Sequence, residues 1–289
     1  MVKDRKKTMS NNSIESPLIS AEELVNLMPQ PQVKIFDVRG RWNGDPAEAF
    51  KAYTQSHIEG AVFLDWTSHF VEPDTPLNLA SVANEAVANQ SFEALGISEG
   101  DLVVLYDDYH HMLAGRMWWA MRFHGFTNVK ILNGGWKHWQ SQGHPVSSML
   151  PMVSKGAFRA KSNPELRTSL EELIEIKDHI NLIDARGVKG YQGRVDDPRS
   201  GHIPGAINIP YSEMLDAASG LFKPREALLK IFQEKLPNLA TTDTVSSCGA
   251  GYSGTVVLLA LQQIGMEVPL FDGSFSVWKM DESRPVAKG

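Results

Sequence analysis

The chain contains one cysteine, Cys248, and its surroundings are the first chemical clue. A short apolar run, Thr244–Ser247, leads into it. Gly249, Ala250, Gly251, Tyr252 and Ser253 follow, and a helical segment is predicted from Thr255. A strand-to-helix turn directs successive backbone N–H groups inward as an anion cradle. The helix N-terminus adds partial positive charge, which favours a thiolate. Glycines at 249 and 251 let the backbone adopt positive φ and approach a bound sulfur closely. The loop has no Lys or Arg, so main-chain dipoles must supply most of its positive potential. The pattern predicts covalent, nucleophilic chemistry at Cys248 sulfur.

Other polar groups fit structural roles better. Asp37–Arg39 recurs as Asp184–Arg186, and His57 recurs as His202. Groups present twice, when the cysteine is present once, read as paired structural charges and turn hydrogen bonds. His110–His111 are adjacent histidines without nearby thiolates, which reads as an exposed loop and not a metal site. Trp118, Trp119, Trp136 and Trp139 lie in or beside helical segments and are expected in the core.

The elements that must position the cysteine repeat along the chain. KIFDVRG…SHIEGA near the start is answered by NLIDARG…GHIPGA near the middle. LVVLYDDYHHMLAGRMWW is answered by DTVSSCGAGYSGTVVLL, and NVKILNGGW by VPLFDGSF. The blocks keep their order, so the chain is a duplication. Each copy alternates strands (Val33–Asp37, Leu102–Tyr106 and Val129–Leu132; Leu182–Asp184, Thr244–Ser247 and Val268–Phe271) with helical segments at Arg116–His124 and Thr255–Ile264. That alternation predicts α/β units with mostly parallel sheets flanked by helices. The expected organisation is a disordered leader over 1–16, a first domain over 17–146, a linker over 147–164 and a second domain over 165–289.

Composition narrows the function. The 289 residues leave room for two ordinary domains. A single cysteine excludes an internal disulfide and a zinc site built on several thiolates. With 28 basic and 34 acidic residues the formal charge is −6, and no long basic run points to nucleic acid. No apolar run reaches the ~18–20 residues of a membrane helix. A cytoplasmic protein with a reduced thiol is expected.

These motifs together resemble the tandem rhodanese-fold sulfurtransferases, over nearly everything from Ile35 to the C-terminus. The resemblance implies an α/β fold of two tandem rhodanese-like domains. It also implies a catalytic cysteine in the second copy and a catalytically silent first copy. Asp107 stands at the position of Cys248, where no persulfide can form. Within the family, CGAGYS is nearer to the 3-mercaptopyruvate sulfurtransferases than to the thiosulfate-preferring members, whose loops carry two basic residues. It departs from the former at Ala250, where that subfamily has a relay serine. The resemblance assigns His57 and Asp45 as the other relay members. It assigns Arg199 to the substrate carboxylate, with Lys189 or Arg194 as second cation because Gly190 occupies the usual position. No metal or organic cofactor is implied. The implied partners are a small anionic sulfur donor and a thiol, cyanide or reduced dithiol protein as acceptor, with no nucleic acid and no membrane. A thiosulfate sulfurtransferase and a non-catalytic persulfide carrier remain as alternatives. A phosphatase does not, because the arginine that its longer loop needs would fall at Gly254.

Overall fold

The computed structural model describes residues 15–289 except 43, 77, 78, 80 and 237. All but the last two residues of the expected leader therefore lie outside the described residues.

The first copy forms a five-stranded parallel sheet. Its strands are β1 (Leu18–Ile19), β2 (Val33–Asp37), β4 (Val62–Phe63), β5 (Leu102–Tyr106) and β6 (Val129–Leu132), in the order β1-β6-β5-β2-β4. A short antiparallel pair, β3 (His57–Ile58) with β7 (Val146–Ser147), lies apart from it. The second copy keeps the order with fewer residues: β8 (Asn181–Asp184), β9 (Ile207–Asn208) and β10 (Thr244–Ser247) pair as β10-β8-β9. Single bridges from Leu270 to Ser246 and to Arg167 stand where β6 and β1 stand in the first copy, and a bridge from His202 to Ala287 replaces the β3–β7 pair. The strand expected over Val268–Phe271 is thus reduced to one bridging residue, Leu270. Pro269 lies inside it, and proline has no N–H to give a ladder.

Each domain also opens alike. Ser20 caps α1 (Ala21–Leu27) in a reciprocal box with Glu23, and Ser169 caps the short helix Leu170–Ile176 in the same way with Glu172.

Two buried helices join the copies. α2 (Met112–Phe123) follows β5 and α3 (Ser253–Gln263) follows β10; both are apolar nearly all round, as helices enclosed on every side must be. They cross where a Cβ on Gly115 would meet Thr255 Oγ1 at 2.7 Å. Aligned on the glycines that end the two helices, Gly125 and Gly265, these residues are each other's counterparts, so the copies face one another across a pseudo-twofold axis. One apolar core runs through this crossing, from Met117, Trp118 and Trp119 to Val256, Leu258 and Leu259. Trp136 and Trp139 are buried in the first copy, as their sequence setting predicts.

The segment between the copies has no helix or strand from 148 to 163. It lies along the first domain: Gly156 N–H donates to Glu93 O, Phe158 N–H to Ile97 O and Lys161 N–H to His124 O, while Phe158 packs on Phe92 and Phe126.

Candidate active site

Cys248 immediately follows β10 and is 2% exposed. The strand end is fastened to the helix that follows, because Ser246 Oγ donates to Gly254 O at 3.0 Å. Between them the loop closes on the sulfur. Gly251 takes φ +79° and its N–H points at Cys248 Sγ at 3.1 Å. An additional turn backs the loop: Phe275 N–H donates to Cys248 O and Ser276 N–H to Gly249 O. Ser274 Oγ accepts the Cys248 N–H at 3.0 Å, donates to Phe271 O at 2.7 Å and lies 3.8 Å from Sγ. Ser274 is fully buried at φ +52°, a conformation costly for a residue with a side chain. Sequence reasoning passed over it. The available signal was DGSF set against NGGW, a serine where the first copy has Gly135 at φ +57°.

The first copy shows what the loop is built to hold. The Asp107 carboxylate, in the place of Cys248, accepts four main-chain N–H groups. Tyr109 and His111 donate to Oδ1 at 2.8 and 3.0 Å, and Leu113 and Ala114 both donate to Oδ2 at 2.9 Å. His110 and His111, at φ +58° and +63°, supply the left-handed turn that Gly251 supplies in the second copy. In the first copy the turn is an anion cradle whose anion is its own side chain; in the second, the Gly251 N–H of the same turn points at sulfur.

The first domain also reaches into the catalytic loop. Trp42 and Trp66 pack edge-on against Tyr252, with ring centroids 4.6 and 5.4 Å away. Burial pushes the Tyr252 hydroxyl up to about 12, and that hydroxyl has no hydrogen-bond partner. It cannot replace the absent serine as a base. Arg116, on α2 and completely buried, brings NH1 to 3.5 Å from Gly251 O and NH2 to 3.7 Å from Asp272 Oδ2. Asp272 also binds Arg167 at 2.9 Å and accepts Val82 N–H.

Comparison with known proteins fits this geometry. The rhodanese-like domain model matches residues 20–142 and 166–281. The chain belongs to the rhodanese-like family. A mouse 3-mercaptopyruvate sulfurtransferase is 32% identical over 280 residues, covering 91% of this chain and 92% of that protein. A putative thiosulfate sulfurtransferase, SseB of Mycobacterium tuberculosis, is also 32% identical, covering 94% and 97%. The crystal structure of SseA from Escherichia coli, described as a 3-mercaptopyruvate sulfotransferase of rhodanese fold, superposes with a TM-score of 0.80 at 28% identity, covering 90% of this chain and 99% of that one.

Within the two rhodanese-like domains, Gly249, Ala250, Gly251, Tyr252 and Ser253 form the turn around Cys248. The residues assigned by resemblance to the relay and the substrate lie differently. His57 is fully buried in its own domain, with Nδ1 2.8 Å from Tyr53 O and Nε2 3.1 Å from Met149 O. Both ring nitrogens thus face main-chain carbonyls, one of the first domain and one of the segment that follows it. His202 repeats the bond to Tyr191 O and the stacking on a tyrosine, so these histidines fasten the turn that follows each Asp-Arg strand. Asp45 is an exposed helix cap, accepting Ala47 N–H. Arg199 spends its guanidinium on the C-terminal segment, donating to the carbonyls of Arg284, Lys279 and Asp281 at 2.8 to 2.9 Å. In this structure the fork braces the C-terminal segment. Arg194 is exposed and paired with Asp196 and Asp197; Lys189 is exposed on the short helix Val188–Gln192.

The Asp-Arg pairs are structural in both copies. Arg39 binds Asp37 and donates to Ser56 O, and Arg186 binds Asp184 and donates to Gly201 O. Arg186 nevertheless borders the site, since its Cδ would lie 3.7 Å from a Cβ on Gly249. His110 is exposed as expected, but His111 is buried between the domains, 3.1 Å from Gly220 O, and burial lowers its pKa. Among the described residues no group of His, Cys, Asp and Glu is arranged to hold a metal ion.

Proposed function

We propose that the protein is a sulfurtransferase that carries sulfur as a persulfide on Cys248. The observation that carries this reading is the Gly251 N–H on Cys248 Sγ, inside a turn whose counterpart already holds an anion on four amides. The Cys248 thiolate attacks the donor sulfur. With 3-mercaptopyruvate the C–S bond breaks, its electron pair leaves on carbon as the pyruvate enolate, and protonation gives pyruvate. With thiosulfate the S–S bond breaks and sulfite leaves. Either donor leaves one extra sulfur on Cys248, and an acceptor thiolate or cyanide attacks that outer sulfur and restores the thiolate. The transfer is split into two easier steps, and the amide cradle stabilises negative charge on sulfur throughout.

The favoured donor is 3-mercaptopyruvate. Thiosulfate is a compact dianion, and residues 248–254 contain no basic side chain to meet it. One observation supports thiosulfate instead: the engagement of Arg199 with three carbonyls removes the cation assigned to the mercaptopyruvate carboxylate. Arg186, partly buried beside Gly249, is a cation that borders the loop, with its guanidinium held by Asp184 and Gly201 O. The buried, unpaired thiol suits a reducing compartment, which we assign to the cytoplasm; no helix among the described residues is long and apolar enough to cross a membrane.

Steady-state sulfur transfer to cyanide, with both donors side by side, tests the reading. Repeated turnover with a higher kcat/KM for 3-mercaptopyruvate is expected. A single loading of sulfur without turnover would make the protein a carrier. A higher value for thiosulfate would reverse the donor assignment.

A further inference from the structure

We infer that Arg116, supplied by the domain without the nucleophile, is a positioning residue that sets the amide cradle around Cys248. The inference rests on the sulfurtransferase reading for its meaning but not for its measurement.

The geometry begins at Gly251. Its φ of +79° is left-handed, and Tyr252 follows at φ −100°, ψ −65°, on the right-handed side. A left-handed residue followed by a right-handed one turns successive N–H groups into one concavity. The Gly251 N–H points at Cys248 Sγ, and this pair of dihedrals turns the next N–H, that of Tyr252, toward the same hollow. In a planar trans peptide the C=O and the following N–H point in opposite directions. The Gly251 carbonyl must therefore face out of the cradle, and Arg116 NH1 stands there, 3.5 Å away. Holding that oxygen holds the Tyr252 N–H on the cradle side of the peptide. If the peptide flipped, a carbonyl would face the anion instead.

The guanidinium is well braced for this task. It lies over the Trp119 ring at 4.6 Å and beside Tyr252 at 5.8 Å. Its NH2 faces Asp272, whose position is fixed by Arg167 and by the Val82 N–H. Asp272 begins the same turn that presents Ser274 to Cys248, so the network braces both walls of the loop. There is no space to spare: a Cβ on Gly251 would come within 2.8 Å of Arg116 NH1. Aligned on Gly125 and Gly265, the second-copy counterpart of Arg116 is Val256. The cation is therefore provided in one direction only, from the Asp107 copy to the Cys248 copy.

The test uses the full chain with Arg116→Met and Arg116→Lys. Two quantities are read: kcat/KM for sulfur transfer, and the pH midpoint of Cys248 alkylation by iodoacetamide, which needs no sulfur donor. Losing a hydrogen bond from a charged group costs roughly ten- to a hundredfold. Arg116→Met is expected to lose that much in kcat/KM and to raise the alkylation midpoint. Arg116→Lys keeps the charge without the planar fork and is expected to fall between. A folded Arg116→Met protein with a wild-type midpoint and rate would overturn the inference. If that variant does not fold, wild-type values in Arg116→Lys overturn it equally. Absence of sulfur transfer in the wild type would instead refute the proposed function, while the alkylation midpoints would still report on Arg116.

Discussion

In the first copy the loop after β5 closes around Asp107, whose two carboxylate oxygens accept four amides. In the second copy the loop after β10 closes around Cys248, with one amide on the sulfur at 3.1 Å. The same turn, duplicated, is satisfied from within in one place and keeps a reactive sulfur in the other. The difference shows how a duplicated site divides labour. In the proposed reading the loop holding Asp107 carries stability, and its domain supplies Arg116, Trp42 and Trp66 to the loop holding Cys248, which carries the chemistry.

The sharpest way to break this comparison is to remove the central side chain of each loop. Asp107→Ala would strand four N–H groups, three of them buried. Unsatisfied buried donors cost about 1–3 kcal/mol each, so a loss of at least about 3 kcal/mol is expected in urea unfolding. Cys248→Ser should abolish sulfur transfer while changing stability by less than about 1 kcal/mol. Equal stability losses in the two variants would erase the distinction.

A second difference concerns acid. Burial pushes His124 down to about 4 and also lowers His111, whereas their second-copy counterparts are Ile264 and Gly251. A histidine whose folded pKa lies below its unfolded value of about 6.5 stabilises the fold fully only above that value. Stability is lost as pH falls from there toward 4, because the unfolded chain binds the proton first. His124→Ile, borrowing the residue of the other copy, should flatten the decline between pH 6.5 and 4. An unchanged slope in urea melts across that range would contradict it.

Smaller effects sharpen the catalytic side. Ala250→Ser should raise turnover of 3-mercaptopyruvate selectively, by several-fold at most, since a single neutral hydrogen bond contributes about 1 kcal/mol. Competing-donor assays read this as a changed ratio; an unchanged ratio would show that a hydroxyl at position 250 does not manage the donor's proton. Tyr252→Phe should do least. A hydroxyl raised to about 12 does not titrate below pH 10, and it has no partner to lose. Rate and pH profile should match the wild type, and a large loss would make that hydroxyl a working group.

Much of this was legible in the sequence. β2, β5, β6 and β10 lie where apolar runs bounded by Asp, Gly and Cys put them, and the repeated blocks announced the duplication. Cys248 stood out because its type and its turn coincide. The cations did not follow from the sequence in the same way. Resemblance assigned Arg199 to the substrate, but in this fold three carbonyls of the C-terminal segment hold its guanidinium. His57 was drawn toward the site by resemblance, yet its environment is that of His202, a turn fastener. Arg116, Trp42 and Trp66 reach the loop only through the packing of α2 on α3 and of the first domain on Tyr252, which no local pattern encodes. Ser274 was hidden in a different way: its turn was visible, but its contact with Cys248 required the two turns to meet.

The central claim is that Cys248 is the sulfur carrier of the molecule. Intact-mass measurement after brief exposure to 3-mercaptopyruvate, without acceptor, tests it most directly. One added sulfur on the wild type, removed by cyanide and absent from Cys248→Ser, is the predicted result. Sulfur loading that persists in Cys248→Ser, or a wild-type mass unchanged by both 3-mercaptopyruvate and thiosulfate, would contradict it.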